Sequence, residues 1–202
     1  MGNETDPRFL RSRETILNAA RELLRAHGPA AVTHNQIAEH AGIGRATVYR
    51  HWPRTDQLLA EAMASVPMPF FAEPTSPIRE WLARELSAIA RQLEQDDVLA
   101  VTTTLANSAL WDQAMDARRA GFAEILSTRL LGALDEAARR GELTKTTGSD
   151  VAATVIGPIY YRATIERAAA SPDLIDRCVA AAGEWLTASA TTDPTSGPAS
   201  GS

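Results

Sequence analysis

"AGIGRATVYRHW", residues 41–52, decides the fold. A small residue, a glycine, an aliphatic and a second glycine lead into a short basic and aromatic stretch that Pro53 ends. Just upstream, Thr33 and Gln36 are spaced as a capping box, and Val32 and Ile37 as a hydrophobic staple. These signals predict a short helix over about 34–40, broken by Gly42, and a second over about 45–51. Val48 and Trp52 are four apart and share one side of that second helix. With Ile37, Ala38 and Ile43 they form an inner face. Arg45, Ala46, Thr47, Tyr49, Arg50 and His51 are left on the other faces or at the helix start. This is the geometry of a helix-turn-helix with its second helix turned outward.

Working outward, Ile16, Leu17, Ala20, Leu23 and Leu24 mark one face of a helix over about 9–27, stopped by Gly28-Pro29. A fourth helix is predicted over about 55–65. "VPMPFFAEPTSP", 66–77, carries four prolines and reads as the boundary between a head and a body. Ser76-Pro77 and Ser171-Pro172 both read as an N-cap followed by proline in the first helical position. Body helices are predicted over about 78–94, 97–109, 112–140, 149–169 and 172–188. Period-2 alternation and hairpin dipeptides are absent, so no strand is expected. The fold class is therefore all-α, with about nine helices. The chain divides into a basic arm and helix-turn-helix head (1–52), a connecting helix (53–66), a helical body (67–190) and a low-complexity tail (191–202) expected to be disordered.

Composition narrows the function classes. The 202 residues are 45% apolar and 22% charged, a globular balance. No apolar run approaches membrane-spanning length, and the N-terminus lacks the apolar core of a secretory signal, so a cytoplasmic protein is expected. Cys178 is the sole cysteine, which fits a reducing compartment; it reads as a small buried apolar residue rather than a redox group. The formal charge of −5 is uneven. Residues 1–60 carry a net +2 and all four histidines, whereas 61–202 carry −7. A mildly basic head on an acidic body points to a polyanion partner for the head.

The outward residues suit a DNA groove. Arginine pairs bidentately with guanine O6 and N7, and hydroxyls of Thr and Tyr reach phosphate or base edges. Ala46 lets the backbone approach closely. The helix starts at Thr33 and Gly44 offer N–H groups to phosphates. An ordinary helical hairpin with a solvated basic face is the alternative that spacing alone leaves open. Arg8, Arg11 and Arg13 form a basic arm that either reaches a minor groove or is simply solvated.

Residues 12–62 resemble the N-terminal domain of the tetracycline-repressor (TetR) family of bacterial regulators. The resemblance rests on Arg13, Ile16, Ala19, Ala20, Leu24 and Gly28, then Thr33, Ile37, Ala38, Ala41, Gly42 and Ile43. Thr47, Val48, Tyr49, His51, Trp52, Asp56 and Leu58 complete it. It implies a homodimeric, sequence-specific repressor that binds a palindromic double-stranded DNA operator and is released by a small apolar or aromatic effector, with no cofactor. It makes Arg45, Ala46 and Arg50 base-reading candidates and Thr33, Thr47, Tyr49 and His51 phosphate-contact candidates. The family often carries Ser-Lys just after the aromatic-Pro pair. Here Arg54-Thr55 stands there, and Arg54 is the candidate replacement for the lysine contact. Trp52 stands where Phe is common, a core change expected to leave function alone.

For the body the resemblance implies a four-helix dimer interface built from the last two helices, with Val155, Ile159, Ala163, Leu174, Cys178, Ala182 and Trp185 as its candidates. Packing inside one chain is the alternative. The helices from about 78 to 165 are expected to enclose an apolar effector pocket. Its candidates are Trp81, Thr103, Leu105, Asn107, Ser108, Trp111, Met115, Phe122, Tyr160 and Tyr161, although residues of these types at helical spacing are individually more often core. Catalytic and metal constellations are not found. His34 and His40 do not share a helix face, and Asp96-Asp97 read as a helix cap. A helical ligand-binding protein whose head docks another protein is the alternative function.

Overall fold

The computed structural model describes residues 6–146, 148 and 150–186. Among these, nine α-helices succeed one another: α1 Pro7–His27, α2 His34–Ala41, α3 Arg45–His51, α4 Thr55–Ala64, α5 Ile78–Leu93, α6 Asp96–Ser108, α7 Gln113–Arg139, α8 Val151–Thr164 and α9 Pro172–Ala181. A 3-10 turn, Pro29–Ala31, joins α1 to α2. The expected tail 191–202, and the end of the expected last helix at 187–188, lie outside the described residues.

The first helix begins earlier than its hydrophobic face. The Asp6 side chain accepts from the Arg8 N–H at 2.8 Å, and Pro7 takes the first helical position, where its missing N–H costs nothing. Arg8, Arg11 and Arg13 therefore lie within α1, and the expected arm is not formed by them. Ile16, Leu17, Ala20, Leu23 and Leu24 are buried against α2 and α4. Gly28 then takes a φ of +79° and donates to the Leu24 carbonyl at 2.9 Å, the cap that Gly provides without strain.

The body packs α5 against α8 and α9, with α6 and α7 alongside. α7 has 27 residues and so spans about 40 Å. At Ser76-Pro77 the expected cap is corrected. Pro77 is itself the N-cap and cannot supply a side-chain bond. Glu142, 64 residues away, does so instead, accepting from the Ile78 N–H at 2.5 Å and from the Ser76 hydroxyl at 2.6 Å. Ser171 caps α9 as expected, accepting from the Leu174 N–H at 3.2 Å. Asp96 and Asp97 are not caps; they occupy the first turn of α6, where the helix dipole favours acids.

The C-terminal end departs most from expectation. α8 stops at Thr164 and α9 at Ala181, and Gly183–Trp185 forms a strand antiparallel to Leu143–Thr146. The register pairs Leu143 with Trp185 and Thr146 with Gly183, with an irregularity between Leu143 and Lys145. Segments of three and four residues are too short to show a period, which is why the ribbon has no sequence signature. Val155, Ile159, Ala163, Cys178 and Ala182 are buried within the single chain. The alternative left open for them, packing inside one protomer, is what the fold shows. Burial also pushes the Cys178 thiol up, away from thiolate chemistry.

Because Glu142 is the only side-chain acceptor at the start of α5 among the described residues, Glu142→Ala should cost about 1 kcal/mol, the usual value of a missing cap. The measurement is the urea midpoint at unchanged m value.

Candidate nucleic-acid interface

The head is assembled around α3. Gly42 adopts a left-handed φ of +65° and ends α2. The Ile43 N–H donates back to Ala38 at 3.0 Å, fixing the turn. The Thr33 hydroxyl accepts from the Gln36 N–H at 3.3 Å and also donates to the Gln36 side chain at 2.9 Å. Val48 is fully buried and Trp52 is 5% exposed, while Arg45, Ala46, Tyr49 and Arg50 face solvent and Thr33 and Thr47 are half-buried. One side of α3 is thus taken up by the core and the other is free. Neither the Arg45 nor the Arg50 guanidinium has a hydrogen-bond or ion-pair partner among the described residues.

Polar contacts lock α3 into this pose. The Trp52 indole N–H donates to Glu61 Oε2 at 2.7 Å, and Glu61 is ion-paired with Arg13, whose guanidinium lies 5.5 Å from the indole centroid. The Trp52 carbonyl accepts from His34 Nε2–H at 2.7 Å, and the Thr55 hydroxyl donates to His34 Nδ1 at 3.0 Å. A carbonyl can only accept, so the tautomer with its proton on Nε2 satisfies both bonds. The Tyr49 ring stacks on His34 at 4.0 Å and 10°. Helices α1 to α4 are therefore tied together through Trp52 and His34. Glu61 and His34 are supports that the sequence did not single out, and Arg13, expected in an arm, joins them. The readable signal was the indole N–H of a tryptophan in a core position, which demands an acceptor.

Two head candidates sit differently from the rest. His51 is turned inward. Its Nε2–H donates to the Ser12 hydroxyl at 2.7 Å, Ser12 in turn donates to the Phe9 carbonyl at 2.9 Å, and the ring lies 4.2 Å from that of Phe9. Its Nδ1 is buried without a partner, so no ring nitrogen is left for a phosphate. Arg54 is exposed, but Asp56 accepts from its Nε at 3.0 Å and its Nη2 at 2.5 Å. Each group shifts the other's titration, Arg54 up and Asp56 down, chiefly through that side-chain bond.

The effector candidates do not gather into one apolar chamber. Trp81 and Met115 are core, Trp111 is 85% and Tyr161 53% exposed, Phe122 packs on Phe70 at 5.1 Å, and Leu105 is half-buried against the core. The Tyr160 hydroxyl points to the Thr102 carbonyl at 3.4 Å. Thr103, Asn107 and Ser108 do share a cleft, of about 250 Å³, but with Leu24, Arg25, Gly28 and Pro29 of the head. Two further clefts, of about 460 and 350 Å³, also lie between head and body. Helix spacing cannot foresee this, because it marks which residues share a face and not which faces fail to meet.

Known proteins agree with this architecture. Residues 16–62 match the profile of bacterial regulatory proteins of the tetR family, and residues 72–182 that of the tetracyclin repressor-like C-terminal domain. The chain belongs to the TetR family. It is 27% identical over 165 residues to the uncharacterized HTH-type transcriptional regulator YdeS of Bacillus subtilis, covering 79% of this chain and 81% of that one. It is 28% identical over 163 residues to the uncharacterized HTH-type transcriptional regulator Rv2250c of Mycobacterium tuberculosis, covering 80% and 82%. A TetR family regulator from Marinobacter aquaeolei has the same fold, with a TM-score of 0.59 at 22% identity over 87% of this chain and 95% of that one. This TetR protein is thus a DNA-binding transcriptional regulator of the helix-turn-helix type, not an enzyme. No helix among the described residues is long and apolar enough to cross a membrane.

Burial, then the charges of Arg50 and Arg13, hold the His51 imidazole below its usual 6.5. A folded value below the unfolded one favours the folded state above about pH 6.5, and that advantage is lost as pH falls from there through the folded value. His51→Gln should therefore be less stable than the parent at pH 8, with the gap closing towards pH 5. Paired thermal melts at the two pH values check this; a constant gap would refute it.

Proposed function

We propose that this TetR protein is a homodimeric repressor that reads a palindromic operator with Arg45, Ala46 and Arg50 of α3 and is released by a small-molecule effector. The observation that carries the reading is the two-sidedness of α3. Val48 and Trp52 are consumed by the core, while two unpaired arginines flank a small residue on the open side. Tyr49, held flat by His34, is a fixed hydroxyl for a phosphate, and Thr33 and Thr47 supply half-buried hydroxyls beside it. His51 acts from behind, by holding α3 on α1. Arg54 is available to phosphate by exchanging Asp56 for it, an exposed pairing of little intrinsic strength.

A dimer is supported by the outer face of α8. Tyr161 is 53% and Ile165 66% exposed, and with Thr154, Gly157 and Pro158 they follow helical spacing along one side. Leu174, half-buried on α9, is the one expected interface residue besides Trp185 that the core does not bury. Trp185 is itself engaged, donating its indole N–H to the Val179 carbonyl at 2.8 Å. Two heads on such a dimer meet successive major grooves when their α3 helices are about 34 Å apart. An effector releases the dimer by binding better to a body whose heads are wrongly spaced, and only that difference in affinity moves the equilibrium.

Selection from a random DNA pool should return a palindrome with half-sites about one helical turn apart. Arg45→Ala should keep the palindrome but lose about 1–3 kcal/mol of discrimination at one base pair per half-site. No enrichment at low salt would remove the operator reading. Arg54→Ala should weaken all sequences alike and reduce the slope of log affinity against log salt by about one unit for each phosphate it no longer reaches. An unchanged slope would show that Asp56 keeps Arg54 from the phosphates.

A further inference from the structure

The cleft shared by head and body has a lining that the helix-turn-helix reading does not use. Its walls come from three separate segments: the end of α1 with Gly28-Pro29, one face of α6, and Arg167 in the connection from α8 to α9. Two exposed arginines, Arg25 and Arg167, both line it, and Asp96 is the one carboxylate in the lining. Arg25 is held at 3.9 Å from Asp97, while the Arg167 side chain has no hydrogen-bond or ion-pair partner among the described residues. Arg167 is also the only described non-glycine residue at positive φ, +53°. The chain turns back there as the Ala168 N–H donates to the Arg162 carbonyl at 3.0 Å. Glycine would take this conformation freely, and a long cation in its place needs another reason; strained residues of this kind cluster at ligand clamps.

The α6 wall is also polar. Thr104 is 5% exposed and lines the cleft beside the half-buried Thr103. Asn107 and Ser108 add an amide and a hydroxyl one turn on, while Leu24, Leu99 and Ala100 supply an apolar floor. Forked cations fit a planar carboxylate. The floor fits the hydrocarbon body of the same molecule. A volume of about 250 Å³ restricts it to a small one.

We propose that this cleft binds a small aromatic or aliphatic monocarboxylate, gripped by Arg25 and Arg167 and by the Thr104 hydroxyl. The inference rests on the regulator reading and deepens it by naming the class of effector. Such a ligand bridges α1 of the head to α6 and the α8–α9 connection of the body, so its occupancy bears directly on head orientation. The binding itself does not depend on which DNA, if any, the head selects.

The test titrates the ¹⁵N-labelled full-length protein with benzoate and with hexanoate, and in parallel with benzamide and inorganic phosphate. The expected result is movement of the Gly28, Ala100 and Asn107 amide signals by at least one carboxylate. Benzamide and phosphate should bind at least about tenfold more weakly, the scale of one charge-assisted pair. Arg167→Gly should weaken the carboxylate by a similar factor without lowering the melting temperature, since glycine relieves the left-handed backbone. The proposal is overturned if neither carboxylate moves these signals, if benzamide or phosphate binds as well, or if Arg167→Gly binds unchanged. No DNA enters this readout, so its failure leaves the operator reading standing, and failure to select DNA leaves the carboxylate result standing.

Discussion

Trp52 is where the head is held together. Its ring fills the space between helices, its N–H needs Glu61, and its carbonyl accepts a hydrogen bond from His34. Removing any one of these leaves a buried polar group unsatisfied, at about 1–3 kcal/mol. The exposed side of α3 inherits its position from these contacts. A recognition surface must be held to within a fraction of an ångström to distinguish bases, and here its precision comes from groups that face away from it. Tyr49 shows the coupling most directly, since the ring that supports it is the same imidazole that binds the Trp52 carbonyl.

The head is joined to the body where α1 packs on α6, through an apolar cluster that runs on from one to the other, with polar contacts at its edge. Arg118 of α7 donates to the Ala60 carbonyl of α4 at 3.1 Å, and Arg25 approaches Asp97 of α6. Three clefts also open along this seam. Exposed ion pairs and clefts at its edge have a low cost of rearrangement, whereas the packed interior does not deform. The molecule therefore concentrates its adjustability at one surface, and ligands that act on head position have to bias that surface.

Much of this was legible in the sequence. Helix existence and most boundaries followed from apolar spacing and from glycine and proline, because those signals act locally. The open side of α3 followed as well, since Val48 and Trp52 define its buried side by subtraction. What could not be read depended on partners far along the chain. Glu142 caps a helix 64 residues away, Glu61 completes a tryptophan nine residues away, and the short ribbon pairs segments about forty residues apart. Val155, Ile159, Ala163, Cys178 and Ala182, expected at an interface, are buried in the chain's own core for a related reason. Small and apolar residues at helical spacing look the same whether they face their own core or a second subunit. His51 turned inward against expectation because residue type alone does not tell which side of a short helix a terminal side chain takes.

The proline-rich stretch 66–77 looks like a hinge and is built as a strut. Phe71 is fully buried, its carbonyl accepts from Arg129 at 2.6 Å, and Arg129 also covers Phe70. The Ala72 N–H is held by Glu85 at 2.7 Å. Segments between domains usually tolerate insertions because they hang free of both neighbours. This one is clamped to α5 and α7, so its length is part of the gearing between head and body. A single residue added there would change the phase of the two halves while leaving each of them folded.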